Sequence, residues 1–264
     1  MKLILRRMAA ITLLCSCSIL SATPLLLMNY NPSQTDFAQS RAEALGLSYE
    51  RIADFTSADQ LKGKSVVIMP GFTSYGSLLT QTGILSQFVQ DGGYLWINVA
   101  GTSCATAVAP GGVDYMHDTC GGTQNQSEVI VNPAHPYIDG SFDARAHQIS
   151  AGDFMNWNVT DIGHIGGLPG NATTITRNNE GPTLAEYSFG KGWVVVSTLT
   201  YGWGPSGGAR GVPVDNMLLY AANQVRLDAA PEPDAPETAT PEPGSLILSA
   251  GAVLLGLTRF IRRG

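Results

Sequence analysis

The amino-acid sequence predicts an α/β domain built as a three-layer, doubly wound, mostly parallel sheet. Short apolar runs typical of buried strands alternate with stretches of helical periodicity. Strands separated by helices at this spacing pair in parallel, with a helix on each crossover. In addition, a Gly-Lys-Gly turn at 190–192 joins two strand-like runs, which predicts an antiparallel hairpin late in the chain.

The first half of the domain carries the most regular pattern. Its two helices each end at glycine, Gly46 for the first and Gly92-Gly93 for the second, as expected for a left-handed C-terminal cap. The predicted elements are strands at 25–29, 48–54, 65–69 and 94–100 and helices at 37–45 and 78–90. Together they predict a parallel sheet that begins near the start of the domain.

After Gly101 the alternation weakens. The late apolar runs flank tight turns rather than long helices, which favours antiparallel pairing there. The predicted elements are strands at 128–132, 172–177, 183–189 and 193–198 and a closing helix at 214–227.

Charge divides the chain into three parts. Six basic residues lie at the two ends, where no acidic residue accompanies them: Lys2, Arg6, Arg7, Arg259, Arg262 and Arg263. The middle therefore holds nine basic against 21 acidic residues, a net charge of −12, while the whole chain carries −6. This acidity excludes a sequence-independent nucleic-acid binder, whose affinity comes from Lys and Arg on phosphates.

The N-terminus predicts a signal peptide over residues 1–22. A basic start precedes an apolar stretch at 8–14, and small residues end at Ala22, which makes signal peptidase the expected processing partner. An alternative stays open, because Leu14-Cys15-Ser16-Cys17 is an imperfect lipoprotein motif in which Cys17 would carry the lipid.

The C-terminus has three parts after a Pro- and acid-rich linker at 229–240, which cannot form a core. Pro241, Glu242 and Pro243 precede an uncharged apolar segment, and three arginines finish the chain: Arg259, Arg262 and Arg263. A helix over 244–261 would be about 27 Å long, enough to cross a thin bilayer.

This arrangement over 241–264 resembles the PEP-CTERM sorting signal of exopolysaccharide-producing Gram-negative bacteria. The resemblance implies an exosortase-type processing enzyme as partner and a transmembrane helix that holds the protein before processing. The expected route runs through the inner membrane and periplasm to the cell surface or extracellular matrix. The alternative is a tail anchor that is never cut.

Four segments of the middle, residues 23–228, follow one another in a characteristic order and spacing: 66–71, 89–97, 135–140 and 187–196. In these segments the middle resembles the class I glutamine amidotransferase-like, flavodoxin-like domains, in particular the trehalose-utilisation type. In catalytic members a Cys follows a strand at a sharp turn, and a His-x-Glu pair from a late strand serves as base and orienter. That pattern makes Ser103 and Cys104 the nucleophile candidates here.

The rest of the catalytic pattern is missing. Residues 198–203 contain neither His nor a carboxylate, so we expect no catalytic triad. Two cysteines in an exported domain most simply pair, so we predict a Cys104–Cys120 disulfide, which removes the thiolate that catalysis needs. The alternative function is a hydrolase of glycan or peptide that uses Ser103, Cys104 or a loop carboxylate such as Asp153.

The four histidines predict no metal site and no cofactor. His117-Asp118 and Asp114 lie close in sequence, but no helical His pair at metal-binding spacing occurs. His135, which precedes Pro136, is predicted to be a turn residue whose ring bonds the backbone.

Aromatic residues in the loops predict the binding surface. Several follow the carboxyl ends of strands, where open sheets bind ligands, and their rings could stack on sugars. The candidates are Phe72, Tyr75, Trp157, Tyr201 and Trp203. The sequence thus predicts a non-catalytic, exported module that binds exopolysaccharide or protein; the alternative for Trp157 and Trp203 is that they cap the core.

Overall fold

An eight-stranded mixed sheet organises the structure, which is a computed structural model. The residues described are 24–28, 32–68, 75–98, 109–116, 124–125, 128–154, 161–201 and 211–224. The strands of the sheet are β1 (Leu25–Met28), β2 (Tyr49–Ile52), β3 (Ser65–Ile68), β4 (Tyr94–Asn98), β7 (Val129–Ile130), β10 (Thr173–Arg177), β11 (Pro182–Phe189) and β12 (Gly192–Ser197). Their order across the sheet is β2-β1-β3-β4-β12-β11-β10-β7.

The first five strands in that order are parallel, and the last three joints are antiparallel. Helices flank the sheet on both sides, so the predicted α/β class and the late hairpin are confirmed. The helices are α1 (Pro32–Ala44), α2 (Tyr75–Gln90), α3 (Pro136–Asp139), α4 (Ala151–Phe154) and α5 (Gly211–Asn223).

The alternation of apolar side chains gives the sheet two buried faces. Leu26 and Met28 belong to one core, which contains Leu85, Phe88 and Val89 of α2; we call it the α2 face. Leu25 and Leu27 belong to the other, which contains residues of α1 and α5; we call it the α5 face. Because the strands are apolar on both sides, each face needs its own helical layer.

The Gly-Lys-Gly hairpin packs against the turn between α2 and β4. Lys191 N donates to Gln90 O at 3.1 Å and Trp193 N donates to Gly93 O at 3.1 Å. A Cβ at position 192 would lie 2.2 Å from Gly93 O, so only glycine permits this approach. The hairpin is thereby fixed against the strand that precedes it in the sheet.

Two short two-stranded sheets lie outside the main one and were not predicted. β5 (Asp114–Met116) pairs with β9 (His164–Gly166), and β6 (Gln124–Asn125) pairs with β8 (Asp161–Ile162). The predicted helices also begin earlier than expected: at 32 rather than 37, at 75 rather than 78, and at 211 rather than 214. The predicted strand at 128–132 is only two residues long.

Within the described ranges, no helix has the length and apolar character needed to cross a membrane. The predicted signal peptide at 1–22, the linker at 229–240 and the sorting signal at 241–264 all lie outside these ranges.

Candidate functional site

The polar groups buried in the sheet concentrate at its carboxyl edge, where the parallel strands end. The register places Asn98, at the end of β4, beside Ser197 of β12, and Ser197 beside Leu184 of β11. Leu184 pairs in turn with Thr176 of β10, which pairs with Ile130 of β7. This row of paired residues crosses five strands and marks one edge of the sheet. Most of the buried polar residues of these strands lie in this row or next to it.

Five buried polar side chains belong to this edge: Asn98, Thr176, Thr183, Ser197 and Thr198. Each is at most 1% exposed, although the strand segments below them are almost entirely apolar. Burying hydroxyl and amide groups is costly unless each one is hydrogen-bonded, so a concentration of them needs a local network.

A carboxylate completes the row on the antiparallel side. Glu128, just before β7, is 9% exposed and accepts a hydrogen bond from Thr183 Oγ1. The hydroxyls of Thr183 and Thr176 lie 2.8 Å apart. The two threonines and the glutamate thus form one continuous chain of polar contacts across β11, β10 and the start of β7.

The turn between β10 and β11 closes this edge. Asn178 Oδ1 accepts from the backbone N–H groups of Glu180 and Gly181, both at 2.9 Å, which stabilises the turn. Its Nδ2 donates to Gly163 O at 3.1 Å. Thr198 Oγ1 also lies 3.4 Å from Gly163 O. These bonds attach the segment before β9 to the main sheet.

Two buried tyrosines lie beneath the edge on the α5 face. Tyr137 Oη and Tyr201 Oη are 3.2 Å apart, and Tyr137 donates to Pro213 O at 3.2 Å. Burial raises the pKa of Tyr137 well above its usual value, and the nearby Tyr201 and the negative charges of Glu128 and Asp153 raise it further. Burial also raises the pKa of Tyr201. Both phenols therefore stay neutral at physiological pH and act as hydrogen-bond donors.

Of the candidate binding aromatics, Tyr201 and Tyr75 fall within the described residues. Tyr201 is fully buried, and its ring lies edge-on to Trp96 with the centroids 6.4 Å apart. Tyr75 is the first residue of α2. The other candidates lie outside the described residues: Phe72, Trp157 and Trp203.

Of the candidate catalytic residues, the structure describes Asp153 alone. Its Oδ2 accepts from the backbone N–H and the hydroxyl of Ser150, both at 2.7 Å. This is a capping arrangement at the start of the short helix α4, and it holds the carboxylate half-buried. Ser103, Cys104 and Cys120 lie outside the described residues, as do Pro241, Glu242, Pro243, Arg259, Arg262 and Arg263, so these predictions stay predictions.

The sequence did not predict a buried His–Glu–Tyr cluster on the α5 face. His135 Nδ1 accepts from Tyr137 N at 3.2 Å, which confirms the predicted bond from this ring to the backbone. That bond assigns the ring proton to Nε2, which lies 3.2 Å from Glu186 Oε2. Tyr220 Oη donates to the same oxygen at 2.8 Å. The one available signal was Glu186 itself, a carboxylate inside an apolar strand.

The position of this cluster, inside the core, indicates a structural role. His135 and Glu186 have fully buried side chains, and the imidazole and Tyr220 rings lie 5.7 Å apart. A group that solvent does not reach cannot act on an external substrate. The cluster instead connects β11, the cap of α3 and helix α5.

In the part of the chain that the structure describes, no group of three His, Cys, Asp or Glu side chains could hold a metal ion. The polar groups of the carboxyl edge are hydroxyls, amides and one carboxylate, and the bonds described above use them to hold the strand ends and the turn at 178–181 together.

No family model matches the chain, and no curated protein matches it. Solved structures do match. A cytoplasmic protein from Salmonella typhimurium is similar with a TM-score of 0.50 and 13% identity, covering 75% of this chain and 97% of the other. A candidate GMP synthase component from Thermoplasma acidophilum is similar with a TM-score of 0.48 and 11% identity, covering 77% and 96%.

A β-galactosidase from Rahnella sp. R3 is similar over 77% of this chain but only 31% of its own length, with a TM-score of 0.43 and 12% identity. At such identities a likeness shows the fold alone. The fold and the site together define a flavodoxin-like α/β domain whose carboxyl edge is lined by buried hydroxyls, amides and a carboxylate.

Proposed function

We propose that this chain is an exported, PEP-CTERM-sorted surface or matrix protein whose domain is a non-catalytic binding module for carbohydrate. The observation that carries the proposal is the three-part C-terminus, in which Pro241-Glu242-Pro243, an uncharged segment and terminal arginines follow one another. The placement of charge supports it, since the arginines lie at the end of an apolar segment, as on the cytoplasmic side of a membrane helix.

The segment after β12 supports a non-catalytic role. Residues 198–210 contain no His and no carboxylate, so the base and orienter of an amidotransferase-like triad are missing from this position. In the described part of this segment, Leu199 and Tyr201 are fully buried and belong to the core of the α5 face. A Cys or Ser nucleophile at 103 or 104 would therefore have no activating partner from this strand.

The carboxyl edge supports carbohydrate as the ligand. Phe72, Ser103 and Trp203 belong to the segments that follow β3, β4 and β12, whose carboxyl ends share this edge. Aromatic side chains in these segments would provide the stacking surface of sugar recognition, and polar side chains of the same segments, such as Ser103, would provide the hydrogen-bonding groups.

Binding is tested by pull-down of the mature protein with exopolysaccharide from a producing bacterium. The Trp203→Ala variant should lose at least about tenfold in affinity, as expected when an aromatic anchor is removed. Val131→Ala, at an exposed valine, serves as a control and should bind like the wild type. A wild type that binds no polysaccharide would overturn the carbohydrate proposal.

Sorting is tested by intact-mass spectrometry of the mature protein from an exosortase-containing host. The expected mass corresponds to a chain that begins after Ala22 and ends near Pro243. A chain that still ends in Arg262-Arg263-Gly264 would exclude exosortase cleavage and indicate an uncut anchor.

A second candidate is a hydrolase that uses a loop carboxylate. Asp153, which Ser150 holds half-buried, is the candidate catalytic residue that lies within the described residues. Carboxylates are the usual catalytic groups of glycoside hydrolases. Release of reducing ends from the bound polysaccharide, abolished in Asp153→Asn, would support this candidate over simple binding.

A further inference from the structure

A cavity of about 360 Å³ opens at the amino edge of the sheet, opposite the site described above. Residues that precede β3 and β4 contribute to its wall, together with the turn at 58–61 and the residue that follows α5. Its chemically functional side chains are Asp59, Lys62, Lys64, Phe88, Asp91 and Gln224. The volume lies within the range of small-molecule sites, which is about 300–1,000 Å³.

The cavity wall carries as many positively as negatively charged side chains. Lys62 and Lys64 provide two ammonium groups, and Asp59 and Asp91 provide two carboxylates. Lys64 pairs with Glu50, and Asp91 accepts from Gln87 Nε2 at 3.0 Å. Neither Lys62 nor Asp59 forms an ion pair within the described ranges, and both are exposed. Their charges are therefore available to a ligand.

The few lysines of the domain are concentrated at this edge. The chain has four lysines, and the three that follow the predicted signal peptide are Lys62, Lys64 and Lys191. Two of these line the cavity, and Lys191 lies on the hairpin that packs against the neighbouring Gly92. A domain with a large excess of acidic residues has thus placed all of its ammonium groups at one edge.

The remaining wall consists of Ala58, Phe88 and three glycines, Gly63, Gly92 and Gly93. The ring of Phe88 packs over Gly93 so closely that a Cβ there would lie 2.4 Å from it. Gly63 and Gly92 have φ values of +73° and +107°, which only glycine adopts without strain, and a Cβ at Gly63 would meet nothing within 4 Å. Glycines keep this wall free of side chains, and Phe88 lies behind them as a core residue that is 4% exposed.

We propose that this amino-edge cavity binds one or two sugar residues of a neutral oligosaccharide. Hydroxyl groups both donate and accept, so one sugar can donate to Asp59 and Asp91 while it accepts from Lys62 and Gln224. Because Glu50 pairs with Lys64, the charges at the cavity are two positive and three negative, which disfavours an anionic uronate and favours a neutral ligand. From the proposed function the inference takes only that the domain meets carbohydrate; the site is a second one, independent of the loops at the carboxyl edge.

The test is binding of the full mature chain to an array of neutral glucose-, galactose- and mannose-containing tri- to hexasaccharides and their uronate-containing counterparts. Binding to the strongest neutral oligosaccharide is then measured by calorimetry. Asp59→Asn and Lys62→Gln remove charges that form no ion pair among the described residues, so both variants should fold. Each should weaken binding by about tenfold, as expected for a lost charged hydrogen bond.

Val131→Ala, at an exposed valine outside the cavity wall, is the matched control and should bind the short oligosaccharide like the wild type. If Trp203→Ala abolishes binding while Asp59→Asn and Lys62→Gln bind normally, the proposed function stands and the amino-edge site is overturned. If the wild type binds only uronates, the neutral ligand is overturned. If it binds no saccharide, the proposed function fails as well.

Discussion

Asn216 shows how a single buried residue holds an irregular segment in place. It lies on α5 and is fully buried. Its Nδ2 donates to Tyr137 O at 2.7 Å and to His147 O at 2.6 Å, and its Oδ1 accepts from His147 N at 3.0 Å. One amide thus satisfies three backbone groups, one in α3 and two at His147 in the irregular segment between α3 and α4.

We predict that Asn216→Ala lowers the free energy of unfolding by about 3 kcal/mol, because three buried backbone groups would lose their partner. Urea denaturation of the two proteins measures the difference. Asn223→Ala is the control, since Asn223 lies on the same helix but donates one exposed hydrogen bond, to Asp143, and should cost less than about 1 kcal/mol. Equal losses in the two variants would contradict the role given to Asn216.

Asp143 gives the domain an acid-sensitive contact. The Arg145 guanidinium, through its hydrogen bonds and charge, holds the pKa of Asp143 well below its usual value, and Asn223 contributes. Arg145 also donates to Leu45 O at 2.7 Å, so the pair attaches this segment to the end of α1. Because the folded-state pKa is lowered, the stabilisation is fully present above about pH 4 and is lost as the pH falls further.

We therefore predict that Asp143→Asn costs about 1 kcal/mol at pH 7, a modest value because Arg145 is partly exposed. The gap between wild type and variant should narrow between about pH 4 and pH 3, because Asp143 of the unfolded chain takes up a proton there while the folded carboxylate stays ionised. Unfolding by urea across this pH range measures the gap. A difference that stays constant down to pH 3 would show that the ionised carboxylate is not the stabilising species.

At the scale of residues, contacts between residues close in sequence could be predicted, and contacts between residues far apart in sequence could not. The bond from the His135 ring to the backbone connects residues two positions apart, and the sequence predicted it. The bond from the same ring to Glu186 spans 51 residues and joins the cap of α3 to β11. Only the assembled sheet reveals that contact, so no local pattern could have predicted it.

At the scale of elements, the hairpin between β11 and β12 depends on glycine for close packing. A Cβ on residue 192 would lie 2.2 Å from Gly93 O and 2.3 Å from Val89 O, and both are backbone atoms that cannot rotate away. The contact joins the start of β12 to the end of α2 and the start of β4. Any side chain here must therefore displace the hairpin or the helix end.

We predict that Gly192→Ala destabilises the domain by about 3 kcal/mol, by over-packing this contact. Gly170→Ala is the matched control, because a Cβ there meets nothing within 4 Å and the residue does not have a positive φ. That variant should be neutral or slightly stabilising. Thermal unfolding of the three proteins gives the comparison, and a Gly192→Ala variant as stable as Gly170→Ala would refute the packing argument.

The elements that the sequence predicted are those whose signal is local. β1, β3 and β4 are apolar except for Ser65 at the start of β3 and Asn98 at the end of β4, because they are covered on both faces and every residue is buried. β5, β6, β8 and β9 have no such signal, since each is two or three residues long and pairs with a segment far away in sequence. The polar carboxyl edge was missed for the same reason, because Glu128 and Thr183 meet only when β7, β10 and β11 pair.

At the scale of the whole domain, the two cores share the same strands. Leu26, Val66, Leu95 and Val194 point to the α2 face, while their neighbours Leu25, Val67, Trp96 and Val195 point to the α5 face. Loss of either helical layer would expose one side of every central strand to water. Neither core can therefore persist without the other, and the sheet couples them into one cooperative unit.

We predict that the domain unfolds in a single transition, with far- and near-ultraviolet circular dichroism giving the same midpoint in urea. Leu85→Ala, on the α2 face, and Leu218→Ala, on the α5 face, each remove a fully buried side chain from one core. Each should lower the free energy of unfolding by about 2–4 kcal/mol and shift the whole transition. A variant in which one signal is lost before the other would show that the two faces unfold separately, and that the shared strands do not couple them.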